Sequence, residues 1–148
     1  MLLEQGADPT AQDMAGQTPL HFASQRGNAK AIRMLLERGA NLTAQDKNGQ
    51  IPLHFASQCR TVEAIRILLE RGADLTVQDK DGQTPLHFAS QRGNVEGIRI
   101  LLEWGADLTA QNNNGQTPSQ GASASRHCHI VQFLSQYEGN ARKLGTTL

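Results

Sequence analysis

Five histidines and two cysteines are the residues of this 148-residue chain best suited to nucleophilic or metal chemistry. His21, His54 and His87 stand 33 residues apart. Three imidazoles could ligate a metal or work as a general base. Ligation needs nitrogens about 2 Å from one ion. Histidines one unit apart in a stack of helices sit roughly 10 Å from each other, too far to share it. His127-Cys128-His129 places ligand types close together. On a helix, however, residues i and i+2 point in different directions, and no second pair is spaced to complete a zinc site. Cys59 has no histidine outside the periodic set and no glycine-rich oxyanion turn near it in sequence, so it lacks the partners of a catalytic thiol. No phosphate-cradling glycine loop occurs. The chain therefore reads as no enzyme, with no cofactor and no metal.

The histidines belong to something larger. Thr18-Pro19-Leu20-His21, Ile51-Pro52-Leu53-His54, Thr84-Pro85-Leu86-His87 and Thr117-Pro118-Ser119-Gln120 begin at a constant interval of 33. Such a period marks a repeat array, in which each unit is stable only when stacked on its neighbours. Within 79–111, Thr84 is a helix N-cap and Pro85 takes the first helical position, where its missing N–H costs nothing. The helix runs through Gln91, with Leu86, Phe88 and Ala89 expected inward, and Gly93 closes it. A second helix spans about Val95 to Trp104, with Ile98, Leu101 and Leu102 on one stripe and Arg99 and Glu103 on the wet face. Gly105 ends it. Asp81-Gly82 and Asn114-Gly115 suit tight turns.

These units resemble the ankyrin repeat. The resemblance rests on Asp79, Gly82, Thr84-Pro85-Leu86-His87, Ala89, Gly93, Leu101-Leu102 and Gly105-Ala106-Asp107, and it extends over nearly the whole chain. Units 13–45 and 46–78 each agree with 79–111 at 25 of 33 positions, which makes chance similarity untenable. The resemblance implies an all-α solenoid of stacked helix-turn-helix units with outward β-turn or hairpin fingers. It also gives Thr18, Pro19, His21, His54, Thr84, Pro85 and His87 a structural role. Residues 1–12 align with 34–45 and read as a partial repeat, so the chain is expected to be a fragment of a longer protein. Residues 112–137 read as a degenerate capping repeat and 138–148 as a tail.

Formal net charge is zero and aromatics make up 4% of residues, so no basic face advertises nucleic acid. No apolar run reaches the ~18 residues of a membrane helix. Met1-Leu2-Leu3 is followed by Glu4, which does not read as a signal peptide. With unpaired cysteines 69 residues apart, this favours a reducing, cytoplasmic or nuclear setting. In that setting Asn41-Leu42-Thr43 is not expected to carry a glycan.

What remains is binding, by a monomer, of a protein partner. The resemblance puts the contacts at fingertips and on the exposed side of first helices. Carried over, these positions are Met14, Gln17, Gln25 and Arg26; Lys47, Asn48, Gln50, Gln58, Cys59 and Arg60; Lys80, Asp81, Gln83, Gln91 and Arg92; and Asn113 and Asn114. Their glutamines recur in register, either as a product of duplication or as a polar groove that reads amides. Unit 46–78 breaks its own pattern. Ile51 replaces the capping Thr, at about 1 kcal/mol, and Arg60 replaces the helix-ending Gly, in an expected left-handed position. Trp104 and Tyr137, at the ends of second helices, are expected to pack together as part of the cap or else to form a second contact patch. The alternative function is an inert spacer or targeting arm of a protein whose effector domain lies upstream.

Overall fold

The computed structural model describes residues 8–124 and 127–143. Over them the chain forms eight helices and no strand. They are α1 (Pro19–Gln25), α2 (Ala29–Glu37), α3 (Pro52–Ser57), α4 (Val62–Glu70), α5 (Pro85–Gln91), α6 (Val95–Glu103), α7 (Pro118–Ala124) and α8 (Cys128–Lys143). The odd-numbered helices stack on one another as one layer, and α2, α4 and α6 stack as a second. The fingers between units are turns.

Local chemistry sets these boundaries. Thr84 is extended (φ −93°, ψ 167°), and Pro85 starts α5 with its φ already fixed. At the other end Gly93 takes φ +68°, which lets Asn94 N–H reach back to Ala89 O at 3.0 Å. This closes the carbonyls that any helix end leaves open. The apolar stripe of α6 is buried as expected, with Ile98, Leu101 and Leu102 at most 4% exposed. Burying each such side chain contributes about 1.5–3 kcal/mol. Helix α4, flanked by α2 and α6, buries Ala64, Ile65, Ile67, Leu68 and Leu69, whereas α2 buries only Ile32 and Leu35.

Several expectations need correcting. Phe88 is not a core residue. Leu86, His87, Ala89 and Ser90 are buried, while Phe88 is half-buried with its ring edge-on to His54. Arg99 and Glu103 do lie on the wet face as expected; Arg99 pairs with Glu96 at 3.3 Å and lies over the Phe133 ring, 5.5 Å from its centre. The turn at Cys59-Arg60-Thr61 does not copy its neighbours. Helix α3 stops at Ser57, and no bond from Thr61 N–H matches those of Asn28 to Ala23 and Asn94 to Ala89. A shorter helix replaces the glycine closure. Trp104 caps α6 and is 48% exposed; the side chain of Tyr137 lies outside the described residues, as do residues 1–7 of the partial repeat. In the last unit Ala122, Ile130 and Leu134 are buried, and α8 runs past residue 137 to Lys143.

Candidate partner-binding face

The motif histidines are almost fully buried, and both ring nitrogens of each are engaged. Nδ1 accepts the backbone N–H of the capping residue three positions earlier: Thr18 at 3.0 Å, Ile51 at 3.0 Å and Thr84 at 3.1 Å. An Nδ1 that accepts carries no proton, so the neutral ring must hold it on Nε2. From there His21, His54 and His87 donate to the carbonyls of Gln50 (2.9 Å), Gln83 (3.0 Å) and Gln116 (2.9 Å) in the next unit. Each imidazole thus bolts a helix start to the following finger and keeps no lone pair for a metal or for a substrate proton. Burial pushes the pKa of His54 and His87 below the ordinary histidine value. The bond to the next carbonyl and the charge of Asp79 oppose this without reversing it.

Ile51 keeps the histidine half of the cap and loses only the hydroxyl half. Isoleucine offers no acceptor, but its N–H is held by His54, and its side chain is 1% exposed. The burial of that side chain offsets the missing hydroxyl. Gln120 does the same job in the last unit by another route: its Oε1 accepts Thr117 N–H at 2.9 Å, where Nδ1 would stand.

The fingers are built on an acid or amide at their base. Oδ1 of Asp13, Asp46, Asp79 and Asn112 each accepts two backbone N–H groups, from the residues two and four positions on, at 2.9–3.0 Å. Consecutive fingers are joined by backbone bonds of 2.9 Å, from Lys47 to Ala15, Lys80 to Asn48 and Asn113 to Asp81. The glutamines extend the stitching. Gln17 Nε2 donates to Asp46 Oδ2 at 3.4 Å and Gln50 Nε2 to Asp79 Oδ2 at 3.2 Å. At the next step Asn replaces Asp and the polarity reverses, with Asn112 Nδ2 directed at Gln83 Oε1, 3.5 Å away. The in-register glutamines are therefore partly framework. The signal for this was the fixed offset of four between Asx 13, 46, 79, 112 and Gln 17, 50, 83, 116.

The polar surface left over lies at the tips and at the ends of the first helices. Met14 is 90% exposed. Lys47, Asn48, Lys80, Asp81 and Asn114 are exposed, as are Gln25, Arg26, Arg60 and Arg92, while Gln58, Cys59 and Gln91 are half-buried. Asn113 is exposed but holds Lys80 O at 2.7 Å. Asp81, Asn113 and Asn114 from the tips and Gln91 from a first-helix end line one hollow. The two sets therefore meet on a common face in the last two units. On the second helices Arg33 and Arg66 pair with Glu63 and Arg99 with Glu96, while Lys30 on α2 and Arg38 and Arg71 at the helix ends are exposed without an ion pair among the described residues. Asn94 is a residue that sequence reasoning missed. It caps α6 through Gly97 N–H, and its amide also reaches back a full unit to Cys59 O at 2.8 Å.

Residues 1–79 and 72–144 match the family model described as ankyrin repeats (3 copies). The chain belongs to the ankyrin-repeat family. No curated protein matches it. Ankyrin repeats are in general protein–protein interaction modules and are typically not catalytic, which agrees with histidines committed to framework bonds. Among the described residues no helix is long and apolar enough to cross a membrane.

Proposed function

We propose that this ankyrin array binds a protein partner through its fingertips and the exposed ends of its first helices. One observation carries the reading. The bases of the fingers and the motif histidines spend their polar groups on the stack, whereas Met14, Lys47, Lys80 and Asp81 at the tips and Arg26, Arg60 and Arg92 at the helix ends stay exposed with no ion-pair partner among the described residues. Unsatisfied, variable side chains on a rigid frame are what a recognition surface requires. Cys59 and Arg60 belong to this face, because the irregular turn there adds a charge where the neighbouring units place glycine.

The test compares two groups of alanine variants against a partner captured with the whole chain. Changes at Met14, Lys47 and Lys80 are expected to weaken binding at least tenfold together, and changes at Arg33, Arg66 and Arg99 on the second helices to leave it within twofold. The double variant Cys59→Arg, Arg60→Gly is expected to weaken binding while leaving helical content unchanged. Tip variants without effect would reject this face as the binding surface, and a whole chain that captures no partner would favour a spacer.

A further inference from the structure

The last unit departs from the others at one position with a spatial consequence. Phe55 lies edge-on to His21 (ring centres 5.6 Å apart, 86° between planes), and Phe88 lies edge-on to His54 (5.3 Å, 87°). The aligned residue of the fourth unit is Gly121, so His87 receives no such ring. A Cβ at 121 would fall 3.4 Å from Gln91 Nε2 and 3.5 Å from its Cγ. Gln91 is also the first-helix glutamine that turns back on its own finger, donating to Gln83 Oε1 at 2.6 Å. Gln25 and Gln58, whose following units supply Phe55 and Phe88, make no equivalent bond to Gln17 or Gln50. The absent ring leaves room beside the fingers, and Gln91 leans across it.

On the finger side of Gln91 lies an open hollow of about 390 Å³ lined by Gln83, Gln91, Asn112, Asn113, Asn114 and Gln116, with Asp81 as its one charge. This lies within the size range of small-ligand sites. Its side-chain amides pair with one another and leave two ends facing solvent. Gln83 Oε1 is taken by Gln91, and Asn112 Nδ2 is shared between Gln83 and Gln116 Oε1. Gln91 Oε1 remains an acceptor, and Gln116 Nε2 remains a donor, each without a partner among the described residues. A cation would gain from Asp81 and Gln91 Oε1 but would leave the Gln116 Nε2 donor without an acceptor. A carboxylate would meet Asp81. An apolar group would strand the whole lining, at the cost of every desolvated amide. A group with one carbonyl and one NH₂ satisfies both ends.

We propose that this hollow is a subsite for a carboxamide, the Asn or Gln side chain of an extended partner segment lying along the face. The inference rests on the partner-binding reading above and adds the chemistry that one part of the face selects.

The test is titration of the ¹⁵N-labelled whole chain with three peptides, acetyl-Gln-Gln-Gln-amide, acetyl-Ala-Ala-Ala-amide and acetyl-Glu-Glu-Glu-amide, following side-chain amide resonances. The glutamine peptide is expected to give saturable shifts at Gln91 and Gln116 at low millimolar concentration, with affinity at least fivefold above the other two. Gly121→Phe, which restores the residue found at 55 and 88, is expected to abolish those shifts. Gln116→Leu, which leaves Gly121 in place, is expected to weaken them at least tenfold and carries the test if the first variant misfolds. Equal affinity for the three peptides, no saturation at tens of millimolar, or shifts that persist in a folded variant would overturn the proposal. Such a failure beside intact sensitivity of partner binding to Met14, Lys47 and Lys80 would remove the subsite alone. Loss of both would remove the binding face itself.

Discussion

Lowering the pH from 7.5 to 5.5 should loosen this array through His54 and His87. In the unfolded chain each titrates near the ordinary value of about 6.5. In the folded chain burial holds both below their ordinary value. A proton added to Nδ1 would face the backbone N–H of Ile51 or Thr84, only 3.0 or 3.1 Å away. Below about pH 6.5 the unfolded state therefore binds more protons than the folded state. Stability from these groups is complete above that pH and is lost as pH falls towards the folded values. Each histidine contributes at most about 1.4 kcal/mol of loss between pH 7.5 and 5.5, and the pair up to about 2.7 kcal/mol. Asp74 is held below its ordinary carboxylate value by its bonds from Thr76. Its contribution is lost only as the pH falls below about 4, outside this window. The assay is urea unfolding at pH 7.5, 6.5 and 5.5, followed by helical circular dichroism and by Trp104 fluorescence. His87→Gln isolates one site. Gln120 already demonstrates that a glutamine oxygen can take the capping N–H, so the variant should fold, lose about 1 kcal/mol at pH 7.5 for the bond to Gln116, and show a shallower pH dependence than the parent. A parent whose stability is flat across the window, or a variant with an unchanged slope, would refute the assignment of His54 and His87 as buried, neutral rings.

Three further outcomes follow from the same contacts. Gly82→Ala should cost on the order of 1 kcal/mol more than Gly115→Ala in thermal or urea unfolding, since both sit near φ +75° but only at Gly82 would the new methyl lie 2.7 Å from a backbone nitrogen, that of Asn113. Asn94→Ala should destabilise by about 2 kcal/mol, combining a lost helix cap with lost bonds to Cys59 and Ser57 carbonyls. Ile51→Thr should change stability by less than about 1 kcal/mol, because the capping hydroxyl it restores offsets most of what the buried ethyl arm of the isoleucine supplies.

Much of the fold was legible because its signals are local. Thr84-Pro85, Gly93 and Gly105 set helix ends through their own backbone preferences, and Ile98, Leu101 and Leu102 declare a buried stripe by spacing alone. What the sequence hid were partnerships across the stack. The 33-residue period aligns His21 with His54, but the bond that matters joins His21 to Gln50, an offset of 29. Nothing in the local pattern says that Asn94 reaches Cys59, or that Gln120 can stand in for a histidine. Phe88 was misplaced for a related reason. Its apolarity suggested the core, yet in this stack the phenylalanine edge covers the preceding histidine. The candidate face was legible as a set of positions, but which of its glutamines are framework became visible only once Asp46 and Asp79 were seen to hold Gln17 and Gln50.

Hydrogen exchange on the complex with a captured partner tests the central claim most directly. Slowed exchange is predicted at the tips, residues 14–15, 47–48, 80–81 and 113–114, and at the first-helix ends, residues 25–26, 58–60 and 91–92. Protection confined to α2, α4 and α6, with tips and first-helix ends exchanging as in the free chain, would contradict it.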